Sequence, residues 1–229
     1  MTIKLEGIVL IVGNYGSGKT EVAVNLALAS RKQGKNVQLG DLDLVNPYFR
    51  SREAKKILEE VGVEVILPAS EYLQSDLPVL SPAVYDMIKN PAHLSILDVG
   101  GDSVGATVLG ALKDVMANKA KRMLQVINPN RPNTRTVEGC SRIKSEIEVK
   151  SGMLIDGIVG NANFIDETTP DVIAEGYDFV REVANKTKLP LEFITAEKGL
   201  IKKLDFARIR CPILPINRHL APPWKKSSL

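Results

Sequence analysis

The residues best equipped for chemistry form one run, Gly13-Asn14-Tyr15-Gly16-Ser17-Gly18-Lys19-Thr20. The run matches the spacing GxxxxGK[ST] in full, with an apolar stretch before it and a helical pattern after it. Glycines let the backbone curl until successive N–H groups point at one anion, and a helix beginning there adds unpaired N–H donors and its dipole. Lys19 supplies a mobile charge for terminal phosphates, and the Thr20 hydroxyl is a hard oxygen suited to Mg²⁺. Glu21 follows directly and is grouped with the loop as a nucleotide-contacting position. The chemistry indicated is the binding of a nucleoside phosphate, and the competing explanation is a fortuitous glycine turn.

Such a loop needs carboxylates to hold the metal and orient a nucleophile. Asp98 ends the apolar run Leu94-Ser95-Ile96-Leu97, and Asp41 and Asp43 end another, where alternation puts both carboxylates on one face. The catalytic candidates are therefore Lys19, Asp43 and Asp98, with Thr20, Asp41 and Asp98 around the metal. Gly100 and Gly101 follow Asp98 and suit a segment whose backbone senses a terminal phosphate. The plainer alternative makes these strand-end aspartates caps of the next helix, and Asp102 is read that way.

The elements that must position these residues alternate between short β-branched runs and longer amphipathic stretches. Strands are predicted at 8–12, 36–39, 63–67, 94–99, 123–127, 153–159, 191–194 and 213–216. Helices are predicted at 19–32, 51–61, 78–88, 104–118, 134–150 and 170–186. The expected fold is α/β, three layers with a mostly parallel central sheet flanked by helices. No Gly/Ser-rich linker, charge block or fixed repeat divides the 229 residues, so one domain is expected over 1–229, with 221–229 a short tail.

Charged residues make up 25% of the chain with a net charge of +3, and the two signs are interspersed, which gives no basic face for nucleic acid. Cys140 and Cys211 lack metal spacing and read as buried free thiols. The apolar run at 8–12 is too short for a membrane span or a signal peptide, and a cytoplasmic location is expected. The run Asn46-Pro47-Tyr48-Phe49-Arg50-Ser51-Arg52 is either a partner-reading switch loop or a loop packed by its aromatics.

The sequence resembles the MinD/ParA/CobQ-CobB branch of the SIMIBI-class P-loop NTPases, over residues 8–223. GNYGSGKTEVAVNLA resembles that branch's phosphate loop and first helix, VQLGDLD its second strand, and SILDVGG its Walker B strand. Val126-Ile127-Asn128-Pro129, Ile158-Val159-Gly160-Asn161 and Pro215-Ile216-Asn217-Arg218 resemble later strand ends and the loop over the base. The resemblance implies that Asp43 positions the hydrolytic water and that Asp41 and Asp98 sit around Mg²⁺, mostly through waters. It implies that Asn161, Pro215 and Asn217 frame adenine, and that ATP drives homodimer formation. The chain departs from the branch at Asn14, where the signature lysine of the deviant loop is expected. Arg50, Arg52, Arg131 and Arg135 are candidates to replace it, although a basic loop residue is more often simply solvated. The function expected is a slow Mg-dependent ATPase switch acting on a protein partner. A phosphotransferase and a nucleotide-gated binding module are the alternatives. Asn161-Ala162-Asn163-Phe164 lacks the Lys and Asp of a guanine-reading NKxD motif, which favours adenine.

Overall fold

A computed structural model describes residues 2–43, 54–67, 82–101 and 103–220. The 46–52 run, Asp102 and the 221–229 tail lie outside the described residues. Eight strands form one sheet: β1 (Gly7–Val12), β2 (Val37–Leu42), β3 (Glu64–Ile66), β4 (Leu94–Val99), β5 (Lys121–Ile127), β6 (Gly157–Gly160), β7 (Leu191–Glu197) and β8 (Ile213–Ile216). Their order is β3-β2-β4-β1-β5-β6-β7-β8, and every pairing is parallel. An all-parallel sheet puts every strand's C-terminal end on one edge. The expected mostly parallel sheet is thus parallel throughout, and all the strand-end residues singled out above share that edge.

Among the described residues six α-helices cover the sheet: α1 (Lys19–Lys32), α2 (Lys55–Glu60), α3 (Pro82–Lys89), α4 (Ser103–Leu112), α5 (Val137–Ser151) and α6 (Pro170–Thr187). Alternation sorts the strand residues between two faces. Val9, Ile11, Leu39, Ile96, Leu124, Val126 and Phe193 pack on the side of α1 and α2. Ile8, Leu10, Val12, Leu97, Met123, Ile127 and Ile194 pack on the side of α3, α4, α5 and α6. Strands buried on both faces need continuous apolar runs, which Ile8-Val9-Leu10-Ile11-Val12 supplies.

Two boundaries differ from expectation for identifiable reasons. β2 continues through Gly40-Asp41-Leu42, residues with turn character, because Gly40, Asp41 and Leu42 pair in register with Leu97, Asp98 and Val99. Gly40 also gives clearance, since a β-carbon there would stand 2.8 Å from Leu97 Cδ2 and 3.1 Å from the Met87 sulfur. β6 begins at Gly157 rather than 153. Asp156 meets Met123 twice, its amide donating to Met123 O at 2.8 Å and its carboxylate accepting from the Met123 amide at 2.7 Å, so the chain enters the sheet with a side chain in place of one backbone acceptor.

Both cysteines are free. Burial pushes the Cys140 thiol up to about 12 and Cys211 up to about 11, which keeps both as unreactive thiols near neutral pH. Among the described residues, no helix is long and apolar enough to cross a membrane.

Phe193 is fully buried between strands and helix, whereas Val149 on α5 is 83% exposed. Phe193→Ala is expected to destabilise the fold by about 3–5 kcal/mol. Val149→Ala is expected to change stability by less than about 0.5 kcal/mol. Denaturant titration checks both.

Candidate nucleotide-phosphate site

The loop from Gly13 to Gly18 leaves β1 at the centre of the sheet and turns directly into α1. Gly18 stands at the N-cap with φ 87°, and no side chain caps the helix. A β-carbon at Gly18 would fall 2.2 Å from Asn161 Nδ2, so only glycine permits both this φ and this approach. The uncapped first turn leaves N–H donors facing the loop's hollow, which suits an anion. Ser17 Oγ is buried without a hydrogen-bond partner. Lys19 is also buried, and its ammonium donates to Asn14 O at 3.1 Å. A polyanion fits this set of donors.

On the α1 face of the sheet, Asp41 and Asp98 are register partners on adjacent strands. Asp43 follows β2, and its amide donates to Asp41 Oδ1 at 3.0 Å. All three aspartates are buried, together with Lys19 and Thr20. Burial pushes the Asp98 carboxyl up to about 7, and the negative charge of Asp41 adds to the rise. The Lys19 charge and a hydrogen bond from the Thr20 hydroxyl oppose it, while Asp43 raises it slightly further. The structure thus brings Lys19, Thr20, Asp41, Asp43 and Asp98 together. Among the described residues, no three His, Cys, Asp or Glu side chains converge closely enough to enclose a metal by themselves. The Thr20 hydroxyl beside the Asp98 carboxylate is a pair of hard oxygens of the kind Mg²⁺ takes. Gly101 closes the site, since a β-carbon there would stand 2.5 Å from Lys19 Nζ and 2.8 Å from the Tyr15 amide.

The residues grouped around a base have other partners. Asn161 is buried, its Nδ2 donates to Ser17 O at 2.7 Å and its Oδ1 accepts from the Thr195 hydroxyl, so its amide braces the loop. Pro215 pairs with Ala196 on edge strand β8, where a missing N–H is tolerated. Asn217 is exposed, and its backbone forms a two-way clasp with the side chain of Asn25 on α1, at 2.9 and 3.0 Å. The Glu21 carboxylate accepts from the amides of His219 and Leu220 at 2.9 and 3.3 Å. Burial raises the pKa of that carboxyl against the lowering effect of these amides and Asn25. Glu21 and Asn25 therefore tie α1 to the chain after β8. Asn25 was not singled out by the sequence, because an asparagine in mid-helix carries no signal of a partner 192 residues away.

No family model matches the chain, and no curated protein matches it in sequence. Solved structures do match. Cell division protein FtsY of Thermotoga maritima superposes with TM-score 0.60 at 22% identity, over 86% of this chain and 65% of that one. The signal recognition particle 54 kDa protein of Aeropyrum pernix K1, in complex with GDP, gives 0.57 at 21% identity, over 85% of this chain and 42% of that one. A nucleotide-binding protein of Archaeoglobus fulgidus in complex with ADP gives 0.52 at 19% identity, over 89% and 87% of the two chains. The fold is that of a P-loop NTPase. The chain spans less than two thirds of the FtsY and 54 kDa proteins. At these identities the likeness concerns architecture.

An acid whose pKa is raised by folding stabilises the folded state in its protonated form. The ligand-free chain is therefore expected to lose the Asp98 contribution as pH climbs from the ordinary carboxylate range to about 7. Urea unfolding of wild type and Asp98→Asn at pH 5 and pH 8 checks this. Wild type should lose more stability between the two than the variant, and equal losses would contradict the assignment.

Proposed function

We propose that the protein is a Mg-dependent nucleotide switch that binds and slowly hydrolyses ATP. The observation that carries the reading is the junction of the uncapped glycine loop with a buried Lys19 and with Thr20 hydrogen-bonded to Asp98 beside Asp41. In this reading the amides of the loop and first helical turn bind the phosphates, and Lys19 neutralises the terminal ones. Thr20, Asp41 and Asp98 hold Mg²⁺, which when bound neutralises phosphate charge during transfer. Asp43 orients the attacking water, and Gly101 reports the terminal phosphate to α4. Asn161 supports the site through Ser17 O rather than by contacting the base.

Adenine is favoured by the absence of a Lys and Asp pair after β6, where Asn161-Ala162-Asn163-Phe164 stands. The neighbour of nearly equal extent was solved with ADP, and the 54 kDa protein with GDP, so both bases belong in the test. Tyr15 is 63% exposed on the loop itself, a contact available to a second copy, and an ATP-dependent homodimer is part of the proposal.

One observation favours a second reading. A cavity of about 190 Å³ lies on the α4 and α5 side, lined by Gly13, Asn14, Gly100, Gly101, Ile143 and Ile147 among others. A space beside both the loop and the phosphate-sensing glycines would admit a phosphoryl acceptor, as a phosphotransferase requires.

Phosphate release in Mg-ATP and Mg-GTP, with light scattering on the same samples, tests the proposal. Slow ATP-selective release is expected, with mass doubling in ATP. Lys19→Ala should abolish nucleotide binding, and Asp43→Ala should reduce turnover by about 100-fold while leaving binding intact. Tight ATP binding with no release would favour the acceptor-dependent reading, and no binding to either nucleotide would refute both.

A further inference from the structure

A loop that points its N–H groups inward must point carbonyl oxygens outward, and those oxygens need donors from elsewhere in the fold. Ser17 O is served by Asn161 at 2.7 Å. Gly16 O is served by Arg131, whose Nε donates at 2.9 Å. The arginine lies flat against the loop: a β-carbon on Gly16 would meet its Nε at 3.4 Å, Cδ at 3.7 Å and Cζ at 3.8 Å. Arg131 follows β5, in a turn that is elaborately fixed. Asn128, fully buried, accepts from the Asn130 amide at 3.0 Å through Oδ1 and donates through Nδ2 to Asn163 O at 3.2 Å. Its backbone oxygen accepts from the Thr134 hydroxyl at 2.6 Å and from the Arg131 amide at 3.3 Å, and the Thr134 amide donates to Arg131 O at 3.0 Å.

This scaffold delivers one guanidinium to a phosphate loop whose second residue, Asn14, has no charge. Of the four arginines that stood as candidates to compensate, Arg50 and Arg52 lie outside the described residues, and Arg131 is the one set against the loop. Resting on the nucleotide reading above, we propose that Arg131 is a positioning residue that supplies, from within the same chain, the positive charge that Asn14 does not. Three properties suit it to the task. A guanidinium stays charged at any working pH. Its Nε is committed to Gly16 O, which fixes the plane, while the fork carries four further N–H groups. Its bond to Gly16 O is exposed to solvent, so the charge it fixes against the loop is one that salt screens and ionic strength can read. Arg131 acts through the Gly16 peptide and through its charge, holding the loop open for a polyanion that would otherwise face Lys19 alone.

The test compares Arg131→Lys, which keeps the charge, with Arg131→Gln, which keeps a hydrogen-bond donor without it, and with Arg131→Ala. Lys19→Ala serves as the reference. Affinity is read by titrating each protein with a fluorescent methylanthraniloyl-ATP and Mg²⁺ at low and high salt, with thermal melting as the control for folding. Arg131→Ala and Arg131→Gln are expected to weaken binding by about tenfold, with Arg131→Lys within about threefold of wild type. The salt dependence should be shallower in Arg131→Gln than in wild type. Wild-type affinity in Arg131→Gln would overturn the proposal, as would a loss in Arg131→Lys equal to that in Arg131→Ala, which would assign the effect to the Nε bond alone. Binding that Lys19→Ala abolishes and every Arg131 variant preserves would sink this inference and leave the nucleotide reading standing. Absence of binding by wild type would sink both.

Discussion

The turn from β1 into α1 dictates much of the remaining architecture. Its N–H groups converge on a hollow, so its carbonyls are exposed on the outside and must be satisfied at close range. One partner is local and two are distant: Lys19 reaches back to Asn14 O, Arg131 from the end of β5 takes Gly16 O, and Asn161 from the end of β6 takes Ser17 O. These reach the loop because β1 lies beside β5, β5 beside β6, and all run parallel. Asn128 and Asn163 join the two bracing loops to each other, so the support is a connected network rather than two isolated contacts. Such a network holds the loop's backbone in place, which is what a preorganised anion site requires.

Opposite this frame lies an electrostatic tension. Three buried aspartates face one buried lysine and one threonine, an arrangement that a stability-driven core would avoid. Asp98 registers the tension as a carboxyl raised to about 7. In the proposed function a divalent cation with a bound nucleotide would relieve it, because the cation would offset the carboxylates while the phosphates offset the lysine and the helix terminus. A buried carboxyl raised in this way at the strand ends makes the cluster a candidate site for such a ligand. The second clasp, Glu21 and Asn25 on the chain after β8, fixes α1 from its far side and so keeps the helix N-terminus aligned with the loop.

What was legible in the sequence follows from locality. The glycine loop and α1 were readable because the backbone geometry imposes residue types on consecutive positions, and α1 spans 19–32 as its periodicity implied. The acid in β4 was readable because it stands out at the C-terminal end of a largely apolar buried strand, just before Gly100-Gly101. Elements fixed by distant partners were not readable: β2 runs past Gly40-Asp41 because β4 pairs with it, and β6 starts four residues later than expected, after Asp156 has bonded Met123 through both backbone and side chain. Asn161 drew attention as a base contact, and the bonds its amide makes to Ser17 O and Thr195 are revealed only by the juxtaposition of β1, β6 and β7. Arg131 was one of four equivalent arginines until the turn after β5 placed it on the loop.

The most direct test of the central claim is amide hydrogen exchange measured with and without Mg-ATP. The account predicts new protection concentrated in the 13–22 segment, where the inward N–H groups and the uncapped turn gain acceptors, with weaker protection at 98–101. Unchanged exchange in 13–22 at saturating Mg-ATP, or protection confined to other parts of the chain, would contradict it.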